Sequence, residues 1–181
     1  MAGNKDMKDE INDKMHEVHP FGPVFDKDSR ILILGSFPSV KSREQNFFYG
    51  HPQNRFWKVL AAVYGQDVPE TIEEKKEFLL KNRTALWDVI GSCDIKGSSD
   101  SSISGVVTND IEGLIGKTDI KYIFLNGRTA EKYYNKYIRK YIDINAETLP
   151  STSPANASWT LERLTERWRS AILHGYGRDG K

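Results

Sequence analysis

The chain has 181 residues, 38% of them hydrophobic and 28% charged, with a formal net charge of +1. That length suits one domain with a core of its own, and no apolar run approaches a membrane span. The polar N-terminus lacks a signal-peptide pattern, and the single cysteine, Cys93, excludes an internal disulfide and any multi-cysteine metal site. A reducing, cytoplasmic location is expected.

Residues 1–18, acidic and poor in apolar positions, read as a flexible N-terminal extension. Residues 19–176 read as a single domain and residues 177–181 as a tail. Residues 30–35 (RILILG) are an apolar run closed by glycine, the pattern of a buried central strand. A polar loop then carries Phe47, Phe48 and Tyr49 in succession. Residues 54–64 set Phe56, Leu60 and Val63 at helical spacing, with Asn54 at the N-cap position. A charged amphipathic helix is predicted over 70–81, its core face formed by Ile72, Phe78 and Leu79.

Residues 84–90 read as a second strand, followed by a polar loop, GSCDIKGSSDSSI. A short helix is predicted over 109–116, a third strand over 121–126 and a basic helix over 128–140. Residues 147–153 lead through Pro154-Ala155-Asn156 into a last helix carrying Leu161, Leu164, Trp168, Ala171 and Ile172 at helical spacing. Strands alternating with helices imply right-handed crossovers and a mainly parallel sheet covered on both faces, a three-layer α/β/α fold. Ligands in such sheets bind at the carboxyl ends of the strands. That rule gathers the polar segments after Leu34, Val89, Leu125 and Leu149 on one rim.

The turn Gly35-Ser36-Phe37-Pro38-Ser39 can bring backbone N–H groups close to a ligand, although many α/β domains turn this way for steric reasons. Pro150-Ser151-Thr152-Ser153-Pro154-Ala155-Asn156 stiffens a run of small hydroxyl residues between two prolines. It reads either as a segment that presses on a DNA backbone or as an ordinary connection with serine caps. Three consecutive aromatics cannot all face a core from one element, so one of them lines a cavity that suits a stacked base or lies in a hydrophobic lid. Basic residues gather around Lys41, Arg43, Arg55 and Lys58, from Arg128 to Lys140, and at Arg163, Arg167 and Arg169. They read as a track for phosphates or as solvated helix faces.

Taken together, GSFPS, FFYGHPQNRFW, LWDV with GSSDSSI, FLNGRTA and PSTSPAN resemble the uracil-DNA glycosylase superfamily. HPQNRFWKVL is similar to the mismatch-specific branch, and the combination is most similar to the hypoxanthine (deoxyinosine) DNA glycosylase branch, over residues 19 to 172. The resemblance implies a four-stranded, uracil-DNA glycosylase-like sheet. It also implies hydrolysis of the N-glycosidic bond of a deaminated base, hypoxanthine above all, rotated out of double-stranded DNA. Two positions depart from the pattern: Phe37 stands where the superfamily usually has Asp or Asn, and Ser151 stands where a His or Asn opens the second motif.

Under that resemblance Asn54 leads as the catalytic polar group, with helix capping as its competing role, and Asp88 is second. Asp100 is a weaker candidate that can equally cap a turn. Gly35, Ser36, Phe37, Pro38, Phe48, Tyr49, His51 and Asn126 are expected to form the base pocket. Ser39, Lys41, Ser151, Ser153, Pro154, Ala155 and Asn156 are expected to contact DNA. No metal, cofactor or β-lyase lysine is implied, and a monomer is expected. The alternatives are a uracil or G/U mismatch-specific glycosylase, and a damaged-DNA binding module without catalysis.

Overall fold

The computed structural model describes residues 13–177. Its centre is strand β2 (Ile31–Gly35), every residue of which is buried. Ile31 and Ile33 point into one apolar core and Leu32 and Leu34 into the other, as the two-residue period of a strand dictates. A run hydrophobic on both faces can only sit between two layers, which is why RILIL is central.

Strands β3 (Thr84–Asp88), β6 (Tyr122–Asn126) and β7 (Ala146–Leu149) join β2 in a four-stranded, all-parallel sheet of order β3-β2-β6-β7. The helices α2 (Phe56–Tyr64), α3 (Ile72–Lys81) and α6 (Leu161–Gly177) belong with the core built on Ile31 and Ile33. The helices α4 (Ile111–Ile115) and α5 (Arg128–Tyr137) belong with the opposite one. The expected three layers are therefore present. Among the described residues no helix is long and apolar enough to cross a membrane.

Several local expectations are corrected. Residues 15–18, assigned to the extension, form β1 (Met15–Val18), which pairs antiparallel with β4 (Ile90–Ile95). Residues 1–12 and 178–181 lie outside the described residues. The supposed polar loop after β3 is mostly β4, a turn of 3-10 helix at Asp100–Ser102 and the approach to β5 (Ser104–Thr108). Together β1, β4 and β5 make a second, antiparallel sheet. Small polar residues hid it: within residues 91–103 only Cys93, Ile95 and Ile103 are buried in the core, too few to show a period, and the strand is held by backbone pairing from a distant segment.

The polar stretch after Ser39 holds a short helix, α1 (Val40–Gln45), capped by the Ser39 hydroxyl, which accepts the Ser42 N–H. Helix α2 begins at Phe56 with Arg55 at the cap position, not Asn54. Ile72 and Leu161, expected in the core, are exposed because each opens its helix, where the chain has not yet turned inward.

Chain order and spatial order part company at β2: the chain steps outward to β3, builds the second sheet and returns on β2's other side as β6. The carboxyl ends of β3, β2 and β6 therefore diverge at a topological switch point, where α/β sheets bind ligands. Next to it, Trp168 is fully buried and donates its indole N–H to the Pro150 carbonyl at 3.0 Å. Trp168→Phe, which removes that bond and a ring's worth of contact, is expected to lower unfolding stability by about 1–3 kcal/mol in urea titrations.

Candidate active site

Three strand ends place three residues in one row. Gly35 closes β2 and is the register partner of Asp88, which closes β3. Leu34 is the partner of Leu125, the residue before Asn126 at the end of β6. All three line a single cleft of about 1170 Å³ that opens at this edge of the sheet. A β-carbon on Gly35 would lie 2.3 Å from Asp88 Oδ1 and 2.9 Å from the Tyr49 hydroxyl, so glycine is required by close approach. Both oxygens thus meet over the Gly35 α-carbon.

Asp88 is buried, and its Oδ2 accepts a 2.7 Å hydrogen bond from His19 Nε2. Asn109 fixes the backbone here by donating to the main-chain carbonyls of Asp88 and Ile90. His19 escaped sequence analysis. It follows a strand read as extension, and a lone histidine carries no spacing that points to a partner 69 residues away.

Tyr49 has a left-handed φ of 53° and stacks on Phe56 with ring centroids 4.0 Å apart. Burial, and then the Asp88 carboxylate, push its phenol above the ordinary tyrosine range, with the hydrogen bond from Asn126 acting in the opposite direction. Phe47 and Phe48 are both buried, packing edge to face with each other, so the hydrophobic-lid and cavity readings of the aromatic loop are each partly right. Phe48 and Tyr49 line the cleft.

Asn126 ties the walls together. Its Nδ2 donates to the Tyr49 hydroxyl and to Thr152 Oγ1, both at 3.0 Å, while its Oδ1 accepts the Thr152 N–H at 3.1 Å. The Thr152 hydroxyl in turn donates to Asn54 Oδ1 at 3.0 Å, and the same oxygen accepts the Phe56 N–H. Asn126 therefore has no donor left for a ligand. Asn54 acts as a structural acceptor at the helix mouth, and its Nδ2 has no partner among the described residues. Thr152, fully buried between two serines that were singled out, was missed because nothing local distinguishes it from them.

Arg55, read as part of a basic patch, is spent inside the molecule. Its guanidinium donates to the carbonyls of Ser153 at 2.8 Å and Asn156 at 3.1 Å, and also to that of Trp159. The Pro150–Asn156 segment is shaped from within as well. Ser151 Oγ accepts the Ser153 N–H, Ser153 Oγ accepts the Ala155 N–H, and Asn156 Nδ2 donates to the Ser151 carbonyl. Those amides are not available to phosphates. Helix α6 starts only at Leu161, so its N-terminus does not abut this segment as expected.

Every expected pocket residue lines the cleft: Gly35, Ser36, Phe37, Pro38, Phe48, Tyr49, His51 and Asn126, together with Asn54, Asp88 and Asp100. Ser39, Ser151, Ser153, Pro154, Ala155 and Asn156 line it too, whereas Lys41 lies outside and pairs with Glu44 on the surface of α1. The N–H groups of Ser36 and Phe37 have no partner among the described residues, so the turn does present free donors. His51 uses Nδ1 to accept the Gln53 N–H. Desolvation at the cleft raises the Asp100 carboxyl above its usual range, with Thr129 acting in the opposite direction. Arg128 and Arg167 also line the cleft, and Arg167 is paired with Glu147.

A parallel four-stranded sheet with a polar cleft at its switch point and a buried carboxylate on the floor defines an α/β protein with a strand-end ligand site. A family model described as the Uracil DNA glycosylase superfamily matches residues 23–174, and the chain belongs to that superfamily. It is 35% identical to a hypoxanthine DNA glycosylase of Methanosarcina acetivorans over 156 residues, 85% of this chain and 97% of that protein. It is 32% identical to a hypoxanthine DNA glycosylase of Methanosarcina barkeri over 154 residues, 84% of this chain and 96% of that protein. A solution NMR structure of a proposed uracil DNA glycosylase from Methanosarcina acetivorans superposes with a TM-score of 0.76 at 34% identity, covering 90% of this chain and 99% of that one.

Two tests follow from the geometry. Arg55→Met is expected to cost about 2–4 kcal/mol and to raise amide exchange at Asn156 and Trp159 by at least tenfold, read by hydrogen-exchange NMR. The Tyr49 phenol ionises above its ordinary value of 10.0 in the folded chain. Above about pH 10 the unfolded chain therefore holds fewer protons, and stability falls as pH rises. In urea melts from about pH 9 to pH 11, Tyr49→Phe is expected to flatten that decline.

Proposed function

We propose that the chain is a monofunctional DNA glycosylase, acting as a monomer on double-stranded DNA, that removes a deaminated base, hypoxanthine above all. The observation that carries this reading is the buried Asp88 carboxylate on the floor of the strand-end cleft, in a chain similar over nearly its whole length to two hypoxanthine DNA glycosylases. Flipping costs a few kcal/mol and is cheapest for a mispaired base. A cleft of about 1170 Å³ at the strand ends suits a nucleotide rotated out of the duplex.

In this reading Asp88 Oδ1 faces the sugar, stabilising positive charge at C1′ and holding the attacking water. The water oxygen bonds to C1′ as the C1′–N bond breaks. The bonding pair leaves with the base, and the water's proton ends on the departing base. The Ser36 and Phe37 N–H groups suit the carbonyl of hypoxanthine, where adenine has an amino group that could only clash with donors. Asn54 Nδ2 is a further donor on the wall. Ser39, Ser151, Ser153 and the Pro154-Ala155-Asn156 turn flank the mouth and fit the DNA backbone beside the flipped site, the serine hydroxyls having donor protons to give.

Duplexes carrying hypoxanthine or uracil opposite each normal base, treated with alkali after incubation, separate the readings. Abasic product from hypoxanthine is expected; product from uracil alone would move the chain to the uracil or mismatch branch. Tight lesion binding without product would make it a binding module. Asp88→Asn is expected to slow single-turnover release by roughly 100-fold or more with the fold intact by circular dichroism. Asn54→Asp keeps the acceptor that serves Phe56 and Thr152 but removes the amide donor. Its rate is expected to fall about 10- to 100-fold with little change in melting temperature, whereas an unchanged rate would leave Asn54 with its structural acceptor role alone.

A further inference from the structure

Among the described residues the Asp88 carboxylate has one side-chain hydrogen bond, and it comes from outside the parallel sheet. His19 immediately follows β1, and its own N–H donates to the Gly91 carbonyl at 2.8 Å, extending the β1–β4 pairing by one residue. That pairing delivers the imidazole to Asp88, with Nε2 at 2.7 Å from Oδ2 and the two side chains only 3% and 6% exposed. Around it stand three phenyl rings: Phe21 at 4.5 Å between centroids, Phe37 at 6.0 Å and Phe48 at 6.1 Å. The other ring nitrogen, Nδ1, is buried and has no hydrogen-bond partner among the described residues.

A histidine kept only for packing would not forgo a partner in the interior, because an unmet polar atom costs stability. Here the orphaned Nδ1 is accepted so that Nε2 can meet the carboxylate, and nothing competes with Asp88 for the imidazole. With Oδ2 held, Oδ1 is the oxygen turned toward Gly35 and Tyr49. We infer that His19 is a positioning residue for Asp88, fixing the carboxylate so that one oxygen is presented to the flipped nucleotide. This rests on the glycosylase reading, in which Asp88 does the chemistry. The imidazole transfers no atom; it removes the rotational freedom that would otherwise be lost at the transition state. The polar position usually found in the first motif is the phenyl ring of Phe37, which serves as a wall of the His19 box.

The test uses the full chain, single-turnover release from a hypoxanthine duplex and lesion-duplex affinity for each variant. His19→Leu is expected to lose at least 30-fold in rate while Kd for the lesion duplex changes less than threefold. His19→Gln, whose amide N–H stands near the place of Nε2, is expected to recover to within tenfold of wild type. His19→Asn, whose shorter amide does not reach, is expected to behave like His19→Leu and replaces it should the apolar variant not fold. His19→Leu combined with Asp88→Asn is expected to be no slower than Asp88→Asn alone, since both changes remove one function. Rates of His19→Leu and His19→Asn within threefold of wild type, or losses that multiply in the double variant, would overturn the proposal. A wild type that releases no base from any lesion duplex would overturn the glycosylase reading and this proposal together.

Discussion

One guanidinium determines whether this cleft has a second wall. Arg55 stands at the start of α2 and gathers carbonyl oxygens from Ser153, Asn156 and Trp159, a stretch that has neither strand nor helix to satisfy its backbone. Buried carbonyls need donors, and a planar fork with five N–H groups supplies several from one position. By holding that segment against the mouth of α2, Arg55 brings Thr152 within reach of Asn54 and Asn126. The network running from Tyr49 through Asn126 and Thr152 to Asn54 exists only because the segment is held there. A charge that would look like a DNA contact is, in this fold, a structural clamp.

The floor of the cleft depends on a different junction. Asp88 ends a parallel strand and sits beside Gly35 by register, but its carboxylate is met by a residue delivered from the antiparallel sheet. The two sheets thus share the site: one supplies the strand ends and the other supplies the imidazole. Tyr49, with its unusual backbone and half-buried ring, fills the space between the aromatic loop and the same carboxylate. Two polar groups, the Ser36 and Phe37 N–H groups, stay uncommitted among the described residues, beside these satisfied ones. Free donors next to a fixed carboxylate are what distinguish a site from a well-packed interior.

Much of this was legible in the residues. Ile31 to Leu34, apolar on both faces, mark the central strand, and the rule that ligands sit at strand ends brings Gly35, Asp88 and Asn126 to one rim. The aromatic triplet was correctly divided between interior and cleft only in the sense that one ring had to differ. What stayed hidden was β4, because Gly91, Ser92, Cys93 and Asp94 show no apolar alternation and owe their extended form to pairing with β1 and β5. The role of Asn54 also divided: its oxygen belongs to the fold and its amide nitrogen to the cleft, a split that no residue type announces.

By itself the sequence determined the layered fold, the strand that carries it and the loops that meet at the ligand-binding edge, because periodicity and turn chemistry are local properties of the chain. Only the tertiary structure decided which polar side chains are spent and which are free. His19 reaches Asp88 across 69 residues, and Thr152 reaches Asn54 across 98. Hydrogen-bond partners at such separations are set by how whole elements stack, and a chain read residue by residue has no term for that.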